Sequence, residues 1–156
     1  KLDNMPVEDI MTPRSVIFAL NATESVGMVI DTHSPIAFSR IPIYEKDLDN
    51  ISGIVNRYTL VNKQAEDQFN IKMSDLMNPI HSVIEKTSVS DVLDLFVKRR
   101  EQMFIVTDDF GTTTGLITLE DAIETLLGVE IVDEHDHVID MRKLASAKLK
   151  QQKMSK

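Results

Sequence analysis

Apolar and polar positions along this chain follow two rhythms, one helical and one alternating, and the same order of rhythms occurs twice. Near the start, "VEDIM" (7–11) reads as a short helix halted by Thr12-Pro13. Proline lacks an N–H and biases the residue before it out of the helical region. Sixty-six positions later "MSDLMNPI" (73–80) repeats the pattern, pairing Asp9 with Asp75, Ile10 with Leu76, Met11 with Met77 and Pro13 with Pro79. Each copy then offers a β-rich stretch, "SVIFAL" (15–20) or "HSVIEK" (81–86), followed by a polar break, "NATES" or "TSVSD". The Ser, Thr and Asp of those breaks suit a helix N-cap. In copy two, Val89, Val92, Leu93, Leu95 and Phe96 form an apolar stripe at helical spacing, closed by the cations of "KRRE" (98–101). Copy one runs Val26, Val29, Ile30 and breaks at "THSP" (32–35).

Two strands are expected next in each copy. "RIPIYE" (40–45) and "ISGIVN" (51–56) flank a polar turn "KDLD", while "QMFIVTD" (102–108) and "TTGLIT" (113–118) flank "DFG". Here the offset is 62, and Gly53 pairs with Gly115. A last helix should start near Arg57 and again at Leu119. The unit is β-α-β-β-α, twice, which makes the fold class α+β. One such unit exposes too much apolar surface to stand alone, so the copies are expected to pack sheet to sheet with pseudo-twofold symmetry. That divides the chain into 5–66, 70–130 and a remainder, 131–156. It also creates two clefts between the halves, where ligands usually bind.

Composition narrows the function. The chain has no cysteine, which excludes disulfide and thiolate chemistry, and no run near the ~20 apolar residues of a membrane span. Lys1 suggests a piece of a longer protein. The net charge of −8 is uneven: residues 141–156 carry six bases and no acid, leaving 17 − 6 = 11 bases against 25 acids, or −14, in the body. Such a body repels phosphate backbones, which argues against nucleic acid as a partner. In the basic tail Met141, Leu144, Ala145 and Leu149 have roughly helical spacing.

The arrangement resembles a tandem cystathionine-β-synthase-type (CBS) domain pair, or Bateman module, over roughly residues 5–130. "EDIMTPR" (8–14), "FSRIPIYEKDLDNISGIV" (38–55) and "DDFGTTTGLITLEDAIETLLGVEIVDEHD" (108–136) are similar to the CorC-like and cyclin M-like magnesium and cobalt transport family, once labelled hemolysin-like. The resemblance implies a transmembrane domain upstream and an adenine nucleotide bound on the cytoplasmic side of the membrane. It also implies homodimers formed through the helices of the CBS pair.

Individual residues support two readings. Thr118 and Asp121, in "GLITLED" (115–121), have the spacing of a helix capping box. The same hydroxyl, helix N-terminus and carboxylate could instead hold a phosphate and a ribose. The resemblance favours ribose binding by Asp121, with Ile117 on the strand leading to it. In copy one Asn56 stands in the place of Thr118 and Thr59 in that of Asp121. One competent nucleotide cleft is therefore expected, not two. The resemblance makes Thr12 a phosphate contact. Arg14 reads as a phosphate partner through its paired donors, or as a solvated charge. Arg40 could reach the phosphates, and Ile41 and Pro42 could wall the adenine, unless Ile41 is ordinary core strand.

Rival chemistry is thin. "EIVDEHDH" (130–137) clusters acids with two histidines, but its spacing fits neither an EF-hand loop nor HExxH, and acid runs are usually solvated. No nucleophile–base–acid set is visible, and "DFG" without the other kinase signatures reads as a turn. The expectation is a non-catalytic regulatory module that binds ATP or AMP, with Mg2+ neutralising phosphate charge, and controls an attached divalent-cation transporter. The alternatives are a dimerisation module with no ligand, or a sensor of another adenosyl ligand such as S-adenosylmethionine.

Overall fold

The computed structural model describes the backbone of residues 3–134 and the side chains of residues 3–128. The acidic and histidine cluster at 130–137 and the basic tail lie outside the described side chains. Copy one is built from β2 (Leu20–Asn21), α1 (Val26–His33), β3 (Arg40–Glu45), β4 (Asp47–Asn56) and α2 (Arg57–Ala65). Copy two is built from β5 (His81–Ile84), α4 (Val89–Arg99), β6 (Met103–Thr107), β7 (Thr113–Thr118) and α5 (Leu119–Glu134). Before them stand β1 (Thr12–Pro13) and, between the copies, the one-turn helix α3 (Met73–Leu76). The expected β-α-β-β-α order is present in both.

Local signals act as expected at the helix starts. Ser25 accepts from the Met28 N–H at 3.2 Å to cap α1, and Ser88 accepts from the Asp91 N–H at 3.0 Å to cap α4. The stripe on α4 buries Val89, Val92 and Phe96, and Phe96 stacks on Phe104 at 4.4 Å between ring centroids. "DFG" is indeed a turn. Asp108 accepts from the N–H groups of Phe110 and Thr112, both at 2.9 Å, while Gly111 takes the positive φ of 83°.

Two elements differ from expectation. The stretch 15–20 is not a strand: Arg14–Val16 is a 3-10 turn, and only Leu20–Asn21 pairs, in parallel with Ile43–Tyr44. Phe18 instead packs its ring on His33 and Phe38, at 5.3 and 5.7 Å, which pulls the chain off the sheet plane. The turn "KDLD" shrinks to Lys46, at φ 68°, because β4 already begins at Asp47.

The strands form two sheets, β1-β7-β6-β5 and β2-β3-β4. They pack face to face over Met103, Ile105 and Leu116 from one sheet and Ile51 and Ile54 from the other, with Ile17 and Ile80 at the margins. Outside each sheet lies a second core under its helices. One gathers Val83, Val89, Val92, Phe96, Phe104, Val106 and Ile117; the other gathers Leu20, Val26, Val29, Ile41, Ile43, Val55 and Leu60.

Each of those cores is completed by the other copy's leading segment. Val7, fully buried, belongs to the copy-two core, and its backbone is fixed there by Val7 N–H to Thr87 O and Val89 N–H to Met5 O, both 2.8 Å. Met73, also fully buried, belongs to the copy-one core, held by Val26 N–H to Ile71 O at 2.8 Å and Met73 N–H to Glu24 O at 2.9 Å. The broken helices also pair across. Thr12 lies opposite Leu116 on β7, and Asn78 opposite Ile54 on β4. The crossing is tight enough to require glycine on the receiving strand. A Cβ on Gly115 would stand 2.4 Å from the Thr12 carbonyl oxygen, and one on Gly53 would stand 2.7 Å from that of Asn78.

Candidate functional site

The duplicated crossing generates two related clefts, each bounded by the strand-to-helix junction of one copy and the leading segment of the other. On the copy-one side a cavity of about 660 Å³ is lined by Ile54, Asn56 and Arg57 of the β4–α2 junction, by Asn78 and Ile80, and by the α4–β6 turn from Arg100 to Met103. Carrying these positions through the repeat gives the counterparts on the copy-two side. Asn78 maps to Thr12, Asn56 to Thr118, and Arg100 to Phe38.

The copy-two junction has the better chemistry. Thr118 ends β7, and its hydroxyl accepts the Asp121 N–H at 3.2 Å, which pins the first turn of α5. Leu119 N–H is taken by Gln102 O at 3.0 Å, as Arg57 N–H is taken by Ser39 O at 2.9 Å in copy one. Asp121 is half-buried in that first turn, beside Glu120, whose carboxylate meets the Arg40 guanidinium at 3.3 Å. Thr12 reaches the same strand end through its pairing with Leu116. Thr118 and Asp121 thus share the first turn of α5, Arg40 is tied to it through Glu120, and Thr12 pairs with β7 two residues before Thr118. With the Leu119 and Asp121 N–H groups already taken, the Glu120 N–H and the helix dipole remain at this end of α5.

The other four candidates are placed differently. Ile41 and Ile117 are fully buried in the copy-one and copy-two cores, and Pro42, between Ile41 and Ile43 in sequence, is buried too. Their side chains fill the protein interior. Arg14 is engaged elsewhere: it pairs with Asp49 and donates to the Thr113 carbonyl at 2.9 Å. Thr113 and Thr118 are the two ends of β7, about 16 Å apart at the usual strand rise, so Arg14 is not brought to the group. Asp49 also accepts the Thr113 N–H at 3.1 Å. The Arg14 hydrogen bond, then the Thr113 N–H, hold the Asp49 carboxyl below its ordinary range. The three residues clamp the β3–β4 hairpin to copy two.

Phe38 was not among the candidates. It is 52% exposed, stacks on Phe18, and lies two residues before Arg40 on the loop leading into β3. The repeat offset itself, applied to the α4–β6 turn, is the sequence signal that finds it.

Comparison with known proteins identifies the family. The CBS domain family model matches residues 73–128. The chain is 32% identical over 147 residues to the magnesium and cobalt efflux protein CorC of Pasteurella multocida, covering 93% of this chain and 49% of that protein. It is 32% identical over 148 residues to the UPF0053 protein YhdP of Bacillus subtilis, covering 92% of this chain and 33% of that one. The CBS domain of the bacterial CNNM/CorC family Mg2+ transporter, solved in complex with ATP, superposes with a TM-score of 0.76 at 30% identity, covering 81% of this chain and 90% of that chain. The chain belongs to the CBS domains of the CNNM/CorC family. It spans half or less of the length of the two curated relatives. This CBS pair keeps in copy two the Thr118/Asp121 junction, and in copy one has Asn56 and Thr59 at those places. Among the described residues no helix is long and apolar enough to cross a membrane, and no group of three or more His, Asp or Glu is placed to hold a metal ion.

Proposed function

We propose that this CBS pair is a non-catalytic regulatory module that binds one adenine nucleotide, ATP or AMP, in the copy-two cleft. In the full-length protein it would control a divalent-cation transporter from the cytoplasmic face of the membrane. The observation that carries the reading is Asp121. It stands in a helix turn already capped by Thr118, so its carboxylate is left for the two ribose hydroxyls and is not needed as a cap. Arg40 and Thr12 would take the phosphates, with Mg2+ neutralising the remaining charge. Phe38 offers the flat, exposed face that buried Ile41 and Pro42 do not, so it is the better wall for adenine. The ATP complex of the CNNM/CorC relative supports the ligand class.

Coupling needs a ligand that prefers one arrangement of the halves. Ile123 and Leu127 on α5, with Tyr58 and Val61 on α2, are exposed apolar residues on the two closing helices. A twofold contact through those helices would cover them. Calorimetric titration with ATP, AMP and adenosine, with and without Mg2+, tests the binding. The expected result is one site per chain, tighter for the phosphorylated ligands; two equal sites, or none, would overturn it. Light scattering on the same samples should give a homodimer at micromolar concentration, and a strict monomer in every state would remove the proposed coupling element.

A further inference from the structure

The Arg40–Glu120 pair ties the two copies together at the copy-two junction. Arg40 opens β3 of copy one, and Glu120 lies in the first turn of α5 of copy two. The guanidinium donates to the carboxylate at 3.3 Å, across 80 positions of sequence. A phosphate at this junction would call on two features, a cationic donor and the positive end of a helix. Glu120 already supplies an anion to both. Its carboxylate stands on the turn where the helix dipole favours negative charge, and it engages the guanidinium that a phosphate would need. The pair is also open to competition, since the Glu120 side chain is 60% exposed and that of Arg40 26%.

The other repeat shows that the fold does not require such a pair. The offset of 62 puts Gln102 in the place of Arg40 and Tyr58 in the place of Glu120, and neither is charged. That junction still closes in the same way, with Arg57 N–H on Ser39 O where copy two has Leu119 N–H on Gln102 O. The charged pair accompanies Thr118 and Asp121, and is missing beside Asn56 and Thr59. An exposed ion pair adds little to stability. Its place beside the candidate ribose carboxylate fits control of a ligand better than support of the fold.

We propose that Glu120 is a built-in competitor for the nucleotide phosphate: in the empty cleft it holds Arg40, and a bound phosphate displaces it. This rests on the nucleotide reading above and adds the regulation of that same site. Phosphorylated ligands bind less tightly than Arg40 and the helix end would allow, whereas adenosine, which does not call on Arg40, is unaffected. Displacement also opens a tie between the copies. The clamp of Arg14 and Asp49 on Thr113, at the far end of β7, involves no residue of the phosphate site and stays closed. Loading the cleft therefore loosens one end of the contact between the copies and leaves the other end fixed.

Glu120→Gln keeps the shape of the side chain and removes its charge. Calorimetric titration should show ATP binding to this variant about fivefold tighter than to the unmodified chain, with adenosine changed by less than about twofold. Arg40→Gln should weaken ATP about tenfold. Adding Glu120→Gln to Arg40→Gln should then gain less than about twofold, because the competitor has nothing left to hold. The full gain persisting without Arg40 would mean that Glu120 only repels phosphate, and would overturn the proposal. So would a Glu120→Gln affinity for ATP no tighter than that of the unmodified chain, or an equal gain for adenosine. ATP binding equally to both chains removes the competitor alone; ATP binding to neither removes the nucleotide reading and the competitor with it.

Discussion

Thr118 and Asp121 divide the work at one helix terminus: the threonine hydroxyl accepts the aspartate's own N–H, at 3.2 Å, and the aspartate carboxylate is not the cap. Capping and ligand binding can therefore be separated by mutation. Asp121→Ala should weaken ATP binding by about 2–3 kcal/mol, or ~30–150-fold, through loss of two hydrogen bonds to a charged acceptor. Its folding cost should stay below about 1 kcal/mol, the worth of an acidic residue near a helix start. Thr118→Ala should cost about 1 kcal/mol of stability by removing the cap. Calorimetry beside thermal melts checks both. An Asp121→Ala protein with intact affinity and a collapsed melting temperature would make the residue structural.

Met73 lies in a one-turn helix between the copies, where a substitution would ordinarily be mild. Its side chain is nonetheless fully buried in the copy-one core. Met73→Ala should cost about 2–5 kcal/mol, the range for emptying a buried methionine site. Urea denaturation reads this directly, and a loss below about 0.5 kcal/mol, typical of surface substitutions, would contradict the crossed packing.

Gly115→Ala should destabilise the chain and reduce nucleotide affinity together. The added carbon meets a carbonyl oxygen at 2.4 Å, which cannot swing away as a side-chain tip would. Overpacking costs about 1–3 kcal/mol, and relief requires Thr12 to leave β7. A variant with wild-type melting and binding would show that β1 is not held there.

The Arg14–Asp49 clamp should appear in the acid limb of the stability curve. A carboxylate whose pKa is lowered on folding contributes stability above its unfolded value, and that contribution is lost as pH falls through the folded value. The ordinary value is 3.8. The gap in melting temperature between the unmodified chain and Asp49→Asn should hold steady above about pH 5 and close progressively below about pH 4. A gap that is unchanged at about pH 2 would mean that Asp49 is not charged in the clamp.

Much of this was legible beforehand because the signals are local. Ser25 and Ser88 as caps, the stripe on α4, and the turn at Asp108–Thr112 depend on neighbours within four residues. Of the candidate site, spacing marks Thr118 and Asp121 as a capping pair, which the Asp121 N–H to Thr118 bond matches, while the ligand roles proposed for Asp121 and Thr12 rest on the resemblance. Arg14 could not be assigned, since its partner Asp49 lies 35 residues away and competes for the same guanidinium. The 15–20 stretch misled because Val16, Ile17 and Phe18 suit a strand, while the rings of His33 and Phe38 draw Phe18 elsewhere. The crossing of the leading segments left no trace in hydropathy, because Val7 would look equally apolar in either core.

That crossing constrains what a single repeat could be. A chain holding only one copy would bring a leading segment shaped for a core it does not own, and a core with a gap where Val7 or Met73 belongs. Two such chains could satisfy each other by trading segments, an association governed by their concentration. Joining the copies in one gene replaces that encounter with an intramolecular one, at an effective concentration set by the few residues from the end of α2 to α3 rather than by expression level. Fusion, on this view, made an assembly that dilution could once dissolve into one that dilution cannot touch.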